Sequence, residues 1–157
     1  MPYLKMERRK KKRIEAVLPL DIVYGANKIS AQSKNISMLG TLVDNEQEIP
    51  AGTNLEITVY IPSYGHYRKP IGPVNCQGTI FHSTPIIQPP NQPLFRLGIF
   101  FASFTSKEDS DKLSSYIDYV ISKEKTFVKK RLKQLRAKLK REKAALKKSQ
   151  KKHKGKH

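Results

Sequence analysis

Alternating apolar and polar residues dominate the chain between residues 14 and 101. The clearest case is Leu55–Ile61, in which every second residue is a large aliphatic one, as expected of a strand with one buried face. Further strands are predicted at Ile14–Tyr24, Lys28–Ile36, Leu39–Val43, Val74–His82 and Leu94–Phe101. Turn-forming segments separate them, and short antiparallel strands at this spacing indicate a sandwich or a small barrel.

Proline and glycine punctuate this pattern. Pro19 is expected to place part of the first strand at an edge or a bulge, because proline cannot donate to a sheet ladder. Gly25–Asn27 and Asn35–Gly40 are predicted to be tight turns. Ser83–Pro93 carries four prolines, and we expect an irregular connection there.

The period changes from two to 3.6 residues after Ser106. Ser106 is a good N-cap residue, and Asp109 stands three positions later, where its carboxylate can reach back to the cap. An apolar stripe at helical spacing follows, formed by Leu113, Tyr116, Ile117, Val120 and Ile121. A stripe of this width predicts a helix that packs on the barrel.

The helical pattern continues beyond Ile121, and its composition changes sharply. Residues 123–157 hold 17 Lys and Arg but only two acidic residues, a net charge of +15, out of +18 for the whole chain. A heptad-like seam of about two and a half repeats runs through them, formed by Val128, Leu132, Leu135, Leu139 and Leu146, with Glu142 at the one polar position.

Such a segment attracts polyanions. Nucleic acid, an acidic protein partner and an anionic membrane surface are all candidates, as is a solvated extension without a partner. The seam also suggests oligomerisation through helix pairing, although two such basic helices repel each other. Nucleic-acid contacts would be mostly with phosphate, because Phe127 is the one aromatic residue in the segment. Lipid ranks below an acidic partner or helix pairing.

Two short motifs carry the candidate chemistry. Arg9 and Arg13 stand four residues apart in a basic N-terminal segment, and Asn35, Ser37 and Gly40 form Asn-x-Ser-x-x-Gly after the second predicted strand. An arginine fork suits phosphate oxygens and the O6 and N7 acceptors of guanine. Asn and Ser side chains in a tight turn can address a base edge, and glycine allows a close backbone approach. Each motif alone is common; together they suit a guanine dinucleotide.

At these residues the chain resembles the PilZ family of bacterial receptors, whose signature is an Arg-x-x-x-Arg segment followed by Asp/Asn-x-Ser-x-x-Gly. Leu94–Phe101 is similar to the family's last barrel strand, and the helix from Ser106 is similar to its C-terminal helix. The resemblance covers roughly residues 7–122. It implies a mainly β fold, a six-stranded antiparallel β-barrel, here followed by a long basic C-terminal helix.

The resemblance also implies cyclic di-GMP as the ligand, with no catalysis, cofactor or metal. The two motif arginines are expected to hold guanine and phosphate, Asn35 and Ser37 to address a guanine edge, and Gly40 to shape the turn. Arg8 stands just before the first motif arginine, and an arginine at that place resembles family members that bind two stacked dinucleotides. The expected ligand-binding residues are Arg8, Arg9, Arg13, Asn35, Ser37 and Gly40. Ligand binding is expected to change the arm and barrel surface and thereby signal to a protein effector; the alternative is a nucleic-acid-binding protein that uses the basic tail, with the barrel as scaffold.

The remaining features are expected to be structural. No motif of a metalloprotease, P-loop or hydrolase is present, so we do not expect an enzyme. The lone Cys76 is expected to be a buried thiol in a cytoplasmic protein without a signal peptide. Tyr64–Arg68 is either a long loop or a partner surface. The expected organisation is an arm at 1–13, a barrel at 14–105, a packed helix at 106–122 and a basic extension at 123–157.

Overall fold

The computed structural model describes residues 12–86 and 92–154, and their side chains as far as residue 150. Two compact units divide the chain, Met1–Tyr119 and Val120–His157. The strands are β1 Pro19–Tyr24, β2 Asn27–Ile36, β3 Gly40–Asn45, β4 Asn54–Ile61, β5 Gly72–Pro85 and β6 Phe95–Phe104, and one helix follows them, α1 Lys107–Lys154.

All strand pairs are antiparallel, in the order β1-β2-β3-β6-β5-β4, and β4 pairs with β1 to close the barrel. Closure removes the unpaired edges of an open sheet. This confirms the predicted six-stranded barrel followed by a long helix. The barrel interior follows the alternation in the sequence: in β4, Leu55, Ile57, Val59 and Ile61 are all buried.

The segment before β1 differs from the predicted strand. Burial alternates from Ile14 onwards as expected, but the ladder begins only at Pro19, and Ile14 forms an isolated bridge with Ile36. A side chain interrupts the ladder, because the Leu18 N–H donates to Ser33 Oγ at 2.9 Å. Ser33 Oγ–H in turn donates to the Ala16 carbonyl. The segment is therefore fastened to β2 partly by one buried serine.

Strand β5 is longer than predicted. Ser83, Thr84 and Pro85 pair with β6, so the expected irregular connection was wrong for these three residues. Pro85 is tolerated because it ends the strand, and the next hydrogen bond runs from the Ile86 N–H to the Leu94 carbonyl at 2.8 Å. The prolines made this segment look irregular in the sequence, but the sequence does not show that β6 lies alongside as a pairing partner.

Helix α1 begins as the capping signals predict. Ser106 Oγ accepts the Asp109 N–H at 3.1 Å and donates to the Asp109 carboxylate at 3.0 Å. Leu113 and Ile117 are buried. Cys76 is buried as expected; burial, with the nearby Asp109 charge, raises the pKa of its thiol to about 12. A thiol with that pKa stays protonated at neutral pH and is a poor nucleophile.

The tyrosine-rich loop between β4 and β5 packs within the first unit. The Tyr64 ring lies 5.2 Å from Tyr116 and 4.9 Å from Tyr119 between ring centroids, and 5.3 Å from Tyr67. Burial raises the pKa of Tyr64 and of Tyr116. The central tyrosine of this loop therefore serves intramolecular packing, whereas Tyr67 is 48% exposed.

Candidate functional site

The bridge between Ile14 and Ile36 brings the two sequence motifs together. The Ile14 N–H donates to the Ile36 carbonyl at 2.9 Å, and the Ile36 N–H donates to the Ile14 carbonyl at 3.0 Å. Both isoleucines are buried in the barrel. Because the bridge is antiparallel, the residue before Ile14 stands beside the residue after Ile36. These neighbours are Arg13 and Ser37, one from each motif.

The turn after β2 is held by its own polar groups. The Ser37 N–H donates to the Gly40 carbonyl at 2.9 Å, and Ser37 Oγ accepts the Leu39 N–H at 3.1 Å. Thr41 Oγ1 donates to the Asn35 carbonyl at 2.7 Å. A register shift between Ser33 and Asn35 bulges β2 just before this turn, and bulges re-aim the side chains that follow them. The turn is thus preorganised without a ligand.

Gly40 is required by strand packing. A Cβ at this position would lie 2.0 Å from the Ile99 carbonyl oxygen on β6, a backbone atom that cannot move aside cheaply. Gly40 does not have a positive φ, unlike Gly25, which forms the β1–β2 turn at φ 56°. The close approach that the structure has at Gly40 is therefore one of β3 to β6.

One cavity of about 610 Å³ joins these residues and is called the motif cavity below. A volume of this size suits a small-molecule ligand. Its lining includes four of the predicted binding residues, namely Arg13, Asn35, Ser37 and Gly40. Arg13 is exposed, Asn35 is half-buried and Ser37 is buried. Arg8 and Arg9, the other two predicted residues, lie outside the described residues.

The motif cavity also has an apolar wall that the sequence reasoning missed. Phe81 and Phe100 line it and are 54% and 47% exposed, and Leu39 is 40% exposed. The signal was present: Ile80 and Ile99 are core residues, so alternation sends the following phenylalanines outward. Exposed aromatic rings beside a basic residue are typical of nucleotide-binding surfaces, because bases stack on them.

A bulge in β5 arranges this wall. Ile80 pairs with Ile99 and His82 pairs with Gly98, which leaves Phe81 as the extra residue. The Phe81 and His82 rings are 4.4 Å apart edge to face, and His82 also lines the cavity. A Cβ on Gly98 would lie 2.6 Å from both Phe81 Cζ and His82 Nε2. Gly98 therefore makes room for both rings.

Other depressions on the barrel suit an anionic ligand less well. One of about 480 Å³ is lined by residues such as Asn54, Glu56 and Gln77, with no Lys or Arg in its lining. Another includes Lys28, but also Asp44 and Glu46. Asp44 is itself engaged by Arg96 across β3 and β6, with Nε to Oδ1 at 3.0 Å. The motif cavity is the one of these three that has a basic residue and no acidic residue in its lining.

Residues 12–86 and 92–154 contain no group of three or more His, Cys, Asp or Glu that could hold a metal ion. Over those residues, no helix is both long and apolar enough to cross a membrane.

Comparison with known proteins gives one family and one fold. The PilZ domain family model matches residues 7–119, whereas no curated protein matches the chain significantly by sequence. The inhibitor of motility MotI/DgrA from Bacillus subtilis is similar in structure, with a TM-score of 0.56 and 18% identity over 76% of this chain and 52% of that one. MrkH from K. pneumonia in complex with c-di-GMP has a TM-score of 0.59 and 12% identity over 75% and 53%.

A smaller solved structure is covered almost entirely. The PilZ domain of YcgR from Escherichia coli with c-di-GMP has a TM-score of 0.51 and 17% identity, over 76% of this chain and 95% of that one. By contrast, this chain spans about half the length of MotI/DgrA and MrkH. Since the family model covers more than half of the chain, and the barrel and its following helix agree with it, the resemblance found in the sequence is confirmed and the chain belongs to the PilZ domain family.

Proposed function

We propose that this chain is a cyclic di-GMP receptor and that the dinucleotide binds in the motif cavity. The observation that carries the proposal is that Arg13 and Asn35-x-Ser37-x-x-Gly40, from separate parts of the sequence, line one cavity. YcgR and MrkH, which share the fold, are described with c-di-GMP bound. Family membership and this geometry support the same ligand.

The chemistry of the motif cavity fits the two halves of such a ligand. The exposed Arg13 guanidinium can grip a phosphodiester or the O6 and N7 atoms of guanine in two-point fashion. Asn35 offers an amide to a base edge. Ser37 Oγ already accepts the Leu39 N–H, so its hydroxyl proton and one lone pair are left for a ligand. Phe81 and Phe100 offer faces on which guanine stacks.

Arg8 and Arg9 complete the proposed site from the N-terminal side. Arg9 is proposed to add a second fork for guanine or phosphate, and Arg8 to hold a second, stacked dinucleotide. Closure of this segment over the ligand would change the surface around the motif cavity, which is how we propose that binding is signalled to a protein effector. Slower amide hydrogen exchange in residues 8–18 on ligand addition would support this step; unchanged exchange at saturation would exclude it.

Calorimetric titration with cyclic di-GMP tests the binding proposal directly. We expect Arg13→Ala and Asn35→Ala each to weaken binding by about 10- to 100-fold, because a hydrogen bond to a charged group contributes about 1.5–3 kcal/mol and a buried unmet partner costs a similar amount. Arg68→Ala is the matched control, since Arg68 is exposed in the β4–β5 loop and outside the cavity lining.

The identity of the bases in the ligand is tested with cyclic di-AMP. Cyclic di-AMP keeps both phosphodiesters but lacks the guanine O6 acceptor, so much weaker binding is expected. The titration also gives the stoichiometry, one or two dinucleotides per chain. Absence of cyclic di-GMP binding at micromolar concentrations, or equal affinity for the parent and the Arg13→Ala variant, would refute the proposal.

A further inference from the structure

An apolar seam lies exposed on the second compact unit. Its members follow one another at steps of four, three, four and seven residues, which is the a and d spacing of a heptad repeat. All of them are about half exposed on helix α1, and this leucine seam consists of Val128 (52%), Leu132 (46%), Leu135 (48%), Leu139 (56%) and Leu146 (61%). Exposed leucines at a strict repeat indicate a surface that is covered by a partner.

The width of the leucine seam distinguishes between kinds of partner. At 100° per residue, its members fall within an arc of about 60°. A helix that lies in a membrane surface presents a broader apolar face, of about 100° or more, whereas a strict a and d stripe is typical of a coiled coil. Phe127, 67% exposed, lies about 100° from the seam and does not widen it. The geometry therefore favours another helix over lipid.

The flanks of the leucine seam determine which helix fits. The e and g positions on either side of it are all basic apart from Ala145: Lys129, Arg136 and Lys143 on one side, Arg131 and Lys138 on the other. In a parallel pair of identical helices, g residues face e residues of the partner; in an antiparallel pair, e faces e and g faces g. Both arrangements place like charges together, so a second copy of this chain is disfavoured.

We propose that the leucine seam binds an acidic amphipathic helix of a protein partner. The partner helix presents aliphatic residues to the seam and Glu or Asp to its basic flanks. Glu142 occupies the remaining d position, so the partner places a Lys or Arg opposite it. A polar residue at one such position fixes register and partner choice, and charge complementarity at the flanks speeds the encounter.

Nucleic acid is the competing occupant, and it makes a different demand on the helix. Phosphates are attracted by all basic residues, including those at b positions such as Lys133 and Lys140, and make no contact that depends on the leucines. A helical partner uses the leucines together with the e and g residues. The two occupants are therefore separated by variants that move the same charge at different positions.

The test uses the whole 157-residue chain at about 0.15 M salt, where exposed charges beyond roughly 8 Å are screened. The probe is a fluorescent synthetic peptide of about four heptads, with Leu at a and d, Glu at e and g, and one Lys facing Glu142. A control peptide has the same composition, but its leucines are spread around the helix so that no two of them are three or four residues apart. No cyclic di-GMP is added, so the result does not depend on the function proposed for the motif cavity.

We expect the seam peptide to bind and the control peptide to bind at least about tenfold more weakly. Lys129→Glu with Lys143→Glu, at e positions, should weaken binding by about tenfold or more, whereas Lys133→Glu with Lys140→Glu should change it less than about threefold. Circular dichroism checks that both double variants keep the helix. Three results would each overturn the proposal: equal effects of the two variants or of the two peptides, which indicates a polyanion surface such as one for nucleic acid; no binding of the seam peptide; or a leucine-dependent oligomer of the parent chain by sedimentation.

Discussion

Ser33 gives the sharpest test of how the barrel positions the motif cavity, because it lies outside the cavity lining. Its side chain is 1% exposed, accepts the Leu18 N–H at 2.9 Å and donates to the Ala16 carbonyl. These bonds fasten to β2 the segment that leads from Arg13 into β1. We expect Ser33→Ala to loosen that segment and to weaken cyclic di-GMP binding without removing any group that lines the cavity.

The magnitude follows from the two backbone groups that lose their partner. Leu18 is 2% exposed and Ala16 8%, so water reaches neither group freely. Leaving a buried polar group unmet costs about 1–3 kcal/mol, and we expect a loss of about 2 kcal/mol in the free energy of unfolding. If the whole loss falls on docking of the segment, affinity drops by no more than about 30-fold, at tenfold per 1.4 kcal/mol.

Urea unfolding gives the stability and calorimetry gives the affinity. Circular dichroism is the suitable signal, since the chain has no tryptophan. Ser30→Ala is the matched control: it makes the same substitution on the same strand, but Ser30 is exposed and its hydroxyl donates to Asp21 Oδ1 at the surface. We expect this control to change stability by less than about 0.5 kcal/mol and to leave affinity unchanged.

The outcomes separate the two parts of the reasoning. Equal stability of the Ser33→Ala variant and the parent would show that the two bonds are replaced by water. Lower stability with unchanged affinity would show that apolar burial and the remaining backbone hydrogen bonds to β2 are enough to hold the segment, and that Arg13 does not depend on the Ser33 side chain.

Three further predictions concern single substitutions. Gly40→Ala should destabilise the barrel by about 3 kcal/mol or more in urea unfolding, because its Cβ would collide with the Ile99 carbonyl. Gly98→Ala should cost only about 1 kcal/mol, since ring atoms can turn aside, yet weaken cyclic di-GMP binding in calorimetry; unchanged affinity would exclude the aromatic wall from the site. Burial raises the pKa of Asp44, but the hydrogen bonds and charge of Arg96, with Lys34, outweigh it and hold that pKa below its ordinary value of 3.8. This stabilisation is complete above that value and is lost as the pH falls through the lower, folded pKa, so Asp44→Asn should be less stable than the parent at pH 7 and approach it at pH 2; a constant difference over this range would contradict the assignment.

Features that depend on a single segment could be predicted from the sequence. The alternation in Leu55–Ile61 reports burial of one face, and the strand is found there as Asn54–Ile61. Ser106 and Asp109 predict the start of the helix, because capping is a contact between residues three apart and can be recognised in the local sequence. The Arg-x-x-x-Arg and Asn-x-Ser-x-x-Gly motifs identified the family for the same reason, since each is written in a few consecutive positions.

Features that depend on a distant partner could not be predicted. Period-two alternation tells which residues face the core but not which strand lies alongside, so the bridge from Ile14 to Ile36 and the continuation of β5 to Pro85 were invisible. The requirement at Gly40 has the same origin, because the atom that excludes a Cβ belongs to Ile99 on another strand. The binding roles of the six expected ligand-binding residues, the five motif residues and Arg8, remain predictions.

The bridge between Ile14 and Ile36 also lowers the conformational entropy that ligand binding would cost at the proposed site. The backbone at Arg13 is held beside the turn by the hydrogen bonds of the next residue, Ile14. Ordering a residue costs about 1–2 kcal/mol, so each residue held in place before the ligand arrives raises affinity several-fold or more. Bonds at Ile14 and Ser33 that never touch the ligand therefore contribute to its binding. For the same reason, ligand binding should slow amide hydrogen exchange more at these bonds than at hydrogen bonds elsewhere in the barrel.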